Sequence, residues 1–263
     1  MLIALTRGVS GALARCELTH LAREPIDLER ARAQHAEYEA ALGRLGACVR
    51  RIAGNDSLPD SVFIEDTAVV LDELAVIMRP GAASRRGEVE AVAATLREFR
   101  PLAWMREPGT MDGGDVLRVG RTLYVGLSSR TNAAGVEQLR KAVAPFGYAV
   151  QGVEVGGCLH LKSAVTEVGE GVLLGNAAWV SPAVFGGAEW IDVDAREVYA
   201  ANAVRVGGAW GAVIYPEHFP RTAERLERRG IRVERVPCDE LAKAEGAVTC
   251  CSILLETHDT PQN

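Results

Sequence analysis

Apolar positions along the chain alternate between helical and strand spacing. In IDLERARAQHAEYEAALGRLG, residues Leu28, Ala31, His35, Tyr38 and Leu42 recur at helical intervals. Asp27 stands where a helix is capped and Gly46 where it ends. VFIEDTAVVLDELAVIMRP reads as two strands around an Asp-Glu turn, followed by a helix over 84–99. GDVLRVGRTLYVGLS repeats that order around a Gly-Arg turn, with a helix over 132–146. LHLKSAVTEVGEGVLLGN opens a third hairpin, and ANAVRVGGAWGAVIYP a fourth, with a helix over 222–229. VTCCSILLET opens a fifth unit, which the N-terminal strand and first helix could complete. Cys250 and Cys251 fall inside that last predicted strand.

The units keep a regular spacing. Asp66 to Asp112 is 46 residues, Asp112 to His160 is 48, His160 to Asn202 is 42, and Asn202 to Cys250 is 48. Such a period is the signature of a repeat or propeller-like architecture. Each polar marker sits on the leading strand of its unit in this reading, so a ring would bring all five together near the axis. The alternative is an ordinary α/β sheet built of βα units of similar length. Periodicity leaves both open.

Composition narrows the function classes. The chain has 263 residues, 48% hydrophobic and 24% charged, enough for a sizeable core in one large domain or two. A net charge of -6 disfavours nucleic acid and anionic membrane surfaces as partners. No apolar run is long enough to span a bilayer, and MLIALTRGVS reads as a first strand, not a signal peptide. Six scattered cysteines include no C-x-x-C pair, which argues against a zinc knuckle or a thioredoxin-type site. A reducing, cytoplasmic setting is expected.

The candidate chemistry follows from the markers. A working cysteine needs a base or a positive neighbour to form its thiolate; alone, Cys250 reads as a small buried hydrophobe sooner than as a nucleophile. His160, in CLHLKS, would supply the acid/base, with a carboxylate such as Asp112 fixing its tautomer. In MDGGDV the two glycines form a turn and let the backbone approach a ligand while Asp112 points inward. Glu65 and Asp66 lie in the apolar run VFIEDTAVV, where charges need partners; a planar guanidinium from a substrate would serve. Asp56 and Asp60 read as a solvated acidic loop. Arg85, Arg86 and Arg130, at loop-to-helix junctions, are surface arginines or a bidentate grip on a substrate carboxylate.

SLPDSVFIEDTAVV, RPGAASRRGE, MDGGDVL, VGLSSRTN, HLKS, AAN and TCCS occur together, in order, over nearly the whole chain. In these motifs the sequence resembles the dimethylarginine dimethylaminohydrolases of the guanidine-modifying pentein superfamily. The resemblance implies an α/β fold, a five-bladed α/β propeller with a pseudo-fivefold repeat of ββαβ-like units around a central active site, formed by residues 1–263 as a single domain. It implies that Cys250 is the nucleophile, His160 the general acid/base and Asp112 its carboxylate. Asp66, with Glu65 and Asp60, would take the guanidinium and substrate backbone. Arg85 and Arg130 would grip the α-carboxylate, and the carbonyls of Leu18 and Ala244 would receive the α-amino group. Cys251 would be a packing residue.

Related arginine and agmatine deiminases carry His-x-Asp where this chain has His160 and Lys162. Loss of that second carboxylate suits a methylated nitrogen, which has fewer N–H donors and more bulk. The implied reaction is hydrolysis of Nω-methylated arginine to citrulline and an amine through a covalent thiouronium. No cofactor and no resident metal are expected, although zinc could bind the Cys-His-carboxylate set adventitiously and inhibit. A small-molecule substrate is the expected partner, for a monomer or homodimer. The competing readings are a deiminase-like amidinohydrolase on another guanidine and a non-catalytic binding propeller.

Overall fold

The structure is a computed structural model and describes residues 1–207 and 211–257. Fifteen strands form five three-stranded sheets. The first blade joins β1 (Leu2–Arg7), β2 (Cys48–Ile52) and the last strand, β15 (Ile253–Glu256). The second holds β3 (Ala68–Val70), β4 (Ala75–Ile77) and β5 (Leu102–Trp104). The third holds β6 (Val116–Val119), β7 (Thr122–Leu127) and β8 (Ala149–Glu154). The fourth holds β9 (Val165–Gly169), β10 (Val172–Gly175) and β11 (Glu189–Asp192). The fifth holds β12 (Val204–Val206), β13 (Ala212–Pro216) and β14 (Arg232–Val236).

Every blade has the same register logic. The leading strand pairs antiparallel with the second, and the second pairs parallel with the third. A parallel pair needs a crossover, which four blades make with a helix. These are α1 (Leu28–Arg44), α2 (Val89–Leu96), α3 (Ala133–Val143) and, numbered past a short α4 (Leu161–Ala164), α5 (Pro220–Arg228). The fourth blade crosses with only a tight helical turn, Pro182–Phe185. Asp27 caps α1 by accepting from the amides of Glu29 and Arg30, and Gly46 leaves the helix at φ +93°.

The ring is closed, as the regular spacing allowed. Leu2 to Leu5 pair with Glu256 to Ile253, so the two ends of the chain share one sheet. Five apolar clusters fill the five seams between successive blades. One example is Val76, Met78 and Met111 packed with Val116, Leu123 and Leu139 between the second and third. Another is Val168, Leu174 and Ile191 packed with Val213, Tyr215 and Leu226 between the fourth and fifth. An open sheet would have four such seams and two bare edges.

Two expectations are corrected. The polar markers do not lie on the leading strands. Glu65 and Asp66 belong to the tight helical turn Ile64–Thr67, Asp112 precedes Gly113–Asp115, and Cys250 and Cys251 belong to Thr249–Cys251. His160 likewise caps α4 and is not in a strand. Such turns satisfy their own backbone, for example Asp115 N–H to the Asp112 carbonyl at 3.0 Å and Cys250 N–H to the Ala247 carbonyl at 3.2 Å. They can therefore be buried at the hub, where a short apolar run looks the same as a strand. Second, the helix expected over 84–99 begins as the tight turn Ala83–Glu88 and becomes α2 only at Val89. Gly208, Ala209 and Trp210, in the expected fourth hairpin, lie outside the described residues. Among the described residues no helix is long and apolar enough to cross a membrane.

Candidate active site

The hub turns form a layer with two sides. On one side a cavity of about 20 Å³, room for about one water, is walled by Cys250, His160, Asp66, Asp60, Arg85, Arg130, Phe63, Leu159, Ala244, Glu17 and Glu245. On the other side the five leading strands line a funnel of about 230 Å³ that reaches Glu65, Lys162 and Thr249. Neighbours in sequence thus face opposite ways: Asp66 and Glu65, Cys250 and Thr249.

His160 is held between two acids. Its Nε2 lies 3.1 Å from Asp112 Oδ2, and its Nδ1 lies 3.9 Å from Asp66 Oδ1. Asp112 is fully buried and accepts the Gly81 amide on its other oxygen at 2.8 Å. Burial pulls the imidazolium pKa down, but Asp66, Asp112 and Asp115 more than reverse this and raise it to about 9. The ring is therefore protonated at neutral pH. The two glycines of MDGGDV serve this approach. A Cβ on Gly114 would stand 2.7 Å from His160 Nδ1, and one on Gly113 would stand 2.1 Å from the Glu65 carbonyl oxygen. What the backbone approaches is two neighbouring blades.

Asp66 accepts from Arg85 Nη1 at 2.5 Å and from the Gly114 amide at 2.9 Å. Burial opposes its ionisation, yet His160 and Arg85 hold its pKa down at about 2. Arg85 is itself buried and also bonds Glu88 at 2.8 Å and the Phe63 carbonyl at 2.9 Å. Most of its donors are thus engaged inside the protein. Arg130 has one hydrogen bond from Nη2, to Thr19 Oγ1 at 3.0 Å, and its Nη1 stands 3.9 Å from Asp112. Asp60 accepts the Glu17 amide at 3.2 Å.

Cys250 shares the cavity with His160. Its burial, with Glu65 and Asp66 nearby, pushes the thiol up to about 12, so it rests protonated. Cys251 is buried in the core between the first and fifth blades and bonds the Ala247 carbonyl at 3.4 Å, a packing position. The ligand atoms of Asp66, Asp112 and His160 lie within 4.8 Å of one another; Cys250 is not part of that group.

One expected site residue stands differently from the sequence reading. Glu65 is turned into the funnel, where it accepts from Lys162 Nζ at 2.5 Å and Thr249 Oγ1 at 2.9 Å. Lys162, where the related deiminases carry the Asp of His-x-Asp, is turned by α4 into the funnel and away from the cavity. The side chain of Leu18 packs on the first-blade core and is not in the cavity wall, whereas Ala244 is.

Sequence reasoning missed four contributors. Buried Asp115 accepts from Ser128 at 2.5 Å, Thr131 at 2.6 Å and the Leu161 amide at 3.0 Å, fixing the turn after His160. Glu88 balances Arg85, and its place three residues on, facing the same way as Arg85 at the start of a helix, was the available signal. Glu17 and Glu245 close the cavity from loops, where spacing carries no signal.

A closed α/β propeller with a cysteine, a histidine and carboxylates on one hub cavity defines a pentein-fold hydrolase acting on carbon–nitrogen bonds. A family profile described as N,N dimethylarginine dimethylhydrolase, eukaryotic, matches residues 20–174. The N(G),N(G)-dimethylarginine dimethylaminohydrolase of Streptomyces coelicolor is 42% identical over 254 residues, 96% of each chain. That of Pseudomonas aeruginosa is 35% identical over 229 residues, 86% of this chain and 89% of the other. The crystal structure of a cysteine-to-serine variant of the Pseudomonas aeruginosa enzyme with citrulline superposes with a TM-score of 0.90. It is 33% identical, over 96% of this chain and 98% of that one. The chain belongs to the dimethylarginine dimethylaminohydrolase family. The N-terminal domain of a cyanobacterial arginine dihydrolase, 20% identical with a TM-score of 0.86 over 98% of this chain and 99% of that one, shares the fold.

Proposed function

We propose that the protein hydrolyses Nω-methylated arginines, asymmetric dimethylarginine and monomethylarginine, to citrulline and dimethylamine or methylamine. The observation that carries this reading is the single cavity walled by Cys250, His160 and Asp66. Family membership supports it, as does the citrulline bound to the Pseudomonas aeruginosa relative. Residues 1–263 act as one propeller, as a monomer or homodimer in the cytoplasm.

The resting pair is a neutral thiol and a charged imidazole. A guanidinium entering beside Asp66 adds the positive charge that favours the thiolate. As the guanidinium docks the Cys250 thiol releases its proton to solvent, and the thiolate attacks the guanidinium carbon to form a C–S bond and a neutral tetrahedral adduct. His160 gives its proton to the methylated nitrogen, the C–N bond breaks, and dimethylamine leaves a positively charged thiouronium. Neutral His160 then takes a proton from water as the oxygen bonds to carbon. The second adduct expels the thiolate, and citrulline departs. Asp112 holds the ring through Nε2, so Nδ1 is the nitrogen free to move the proton. Asp60 and Asp66 serve the substrate cation, Arg130 its α-carboxylate together with whatever donor Arg85 retains, and the backbone carbonyls of Leu18 and Ala244 its ammonium. Glu65 supports the layer beneath through Lys162 and Thr249.

A citrulline assay across arginine, monomethylarginine and asymmetric dimethylarginine tests the reading. Turnover of the methylated substrates, abolished in Cys250→Ser, is expected. Dominant turnover of arginine would point to the deiminase-like reaction, and no turnover of any guanidine to a binding propeller.

A further inference from the structure

Asn202 marks the fifth unit in the spacing of the chain, yet it has no part in the chemistry above. It is 3% exposed, and its amide is fully used. Oδ1 accepts the Thr249 amide at 2.9 Å, while Nδ2 donates to Thr249 Oγ1 at 2.8 Å and to the Lys162 carbonyl at 3.1 Å. The amide orientation is fixed, because a main-chain N–H requires the oxygen and a carbonyl requires the nitrogen. Thr249 precedes Cys250, and Lys162 lies two residues beyond His160. One side chain of the fifth blade therefore ties the turn of the nucleophile to the turn of the imidazole.

The bond to Thr249 Oγ1 also sets a direction. That oxygen accepts from Asn202, so its single proton points elsewhere: to Glu65 Oε2 at 2.9 Å, with Cys250 Sγ 3.9 Å away as the other acceptor in reach. Lys162 neutralises Glu65 in turn. We propose that Asn202 is a positioning residue which, through Thr249, fixes the Cys250 sulfur relative to the His160 ring. The proposal rests on reading Cys250 and His160 as the catalytic pair. Asn202 touches no reacting atom; it holds two turns in the one relation that lets proton donor and nucleophile meet the same carbon.

Kinetics of Asn202→Ala, Thr249→Val and the double variant on asymmetric dimethylarginine test this, with folding checked by circular dichroism. Each single change should lower kcat about tenfold to a hundredfold and leave KM within about threefold, a split that general loosening of the fold would not give. The double variant should lose no more than the worse single one, since both cut the same link. Full kcat in a folded single variant, a loss confined to KM, or losses that multiply in the double would overturn the proposal. If Asn202→Ala does not fold, Thr249→Val, nearly isosteric, carries the test alone. Wild-type turnover that vanishes in Cys250→Ser keeps the underlying reading intact whichever way these variants fall. Turnover that survives in Cys250→Ser overturns that reading, and the clamp with it.

Discussion

Glu65 and Asp66 are neighbours in sequence and face opposite sides of the hub: Asp66 enters the cavity with Cys250, and Glu65 closes the funnel behind it on Lys162. The two carboxylates should fail in different ways. Asp66→Asn should abolish measurable turnover, because it removes the counter-charge for both substrate and His160. Glu65→Gln leaves a largely buried Lys162 without its partner, and breaking such a pair costs about 3–5 kcal/mol. Its main signature should be a lower denaturation midpoint, substantially restored by adding Lys162→Met. Equal unfolding midpoints for wild type and Glu65→Gln would show that the ion pair contributes nothing.

The resting state of Cys250 gives a second outcome. A thiol pushed up to about 12 by burial and by Glu65 and Asp66 reacts slowly with a neutral reagent. Inactivation by a haloacetamide should be slow at pH 7 and rise about tenfold per pH unit above it. A haloacetamidine of the same length carries the amidinium charge and should inactivate at least about a hundredfold faster at pH 7. Equal rates for the two reagents would mean that the thiolate exists before any cation arrives.

Two buried histidines tilt stability in opposite directions. His160 is raised from 6.5 to about 9, so its contribution is complete below pH 6.5 and is lost as pH climbs through 9. His35 is pushed down to about 4, by burial first and then by Arg51. Its Nε2 has no partner among the described residues, and the nearby Glu39 carboxylate is taken by Thr6 and Arg51. Stability from keeping His35 neutral is complete above pH 6.5 and is lost as pH falls through 4. Urea unfolding between pH 4 and 9 should therefore show His35→Leu flattening the acid limb and His160→Asn the alkaline limb. Buried carboxylates titrate in every variant, so the difference from wild type is the quantity to read. Parallel curves for wild type and His35→Leu below pH 6.5 would rule out the neutral, unpartnered ring.

Much of this architecture was legible in one dimension. Period and order gave the five units, and the resemblance of seven motifs turned the choice between ring and sheet. Asp66, Asp112, His160 and Cys250 do meet, because each occupies the same place in its unit. Facing was not legible. Alternation along a strand would put Lys162 with His160, but the chain turns helically there, so 162 points into the funnel. Asp115 and Glu245 escaped for a related reason: each acts on a segment far away in sequence, through contacts that no local period encodes. Gly114 shows the limit from the other side. A turn glycine was readable, but its partner, an imidazole from the next blade, was not.

Glu245 is expected to govern access. The cavity has room for about one water, so the loop over residues 17–21, which Glu245 holds, is expected to move as substrate enters. In the closed state the Glu245 carboxylate collects the amides of Thr19, His20 and Leu21 at 2.5 to 2.9 Å, and Thr19 bonds Arg130. To reach them Glu245 takes φ +57°, the one positive φ outside glycine among the described residues, a strain of about 1–3 kcal/mol. Gly246 cannot take over that place, since a Cβ there would stand 2.0 Å from the Phe63 ring. Glu245→Gly separates the two effects. Its backbone relaxes, so the unfolding midpoint should hold or rise, while loss of the latch should raise KM about tenfold for every substrate. Trypsin cleavage after Arg15 and Arg23 should quicken in the free variant and slow again with citrulline. Unchanged cleavage together with unchanged KM would mean that some other contact holds the loop shut.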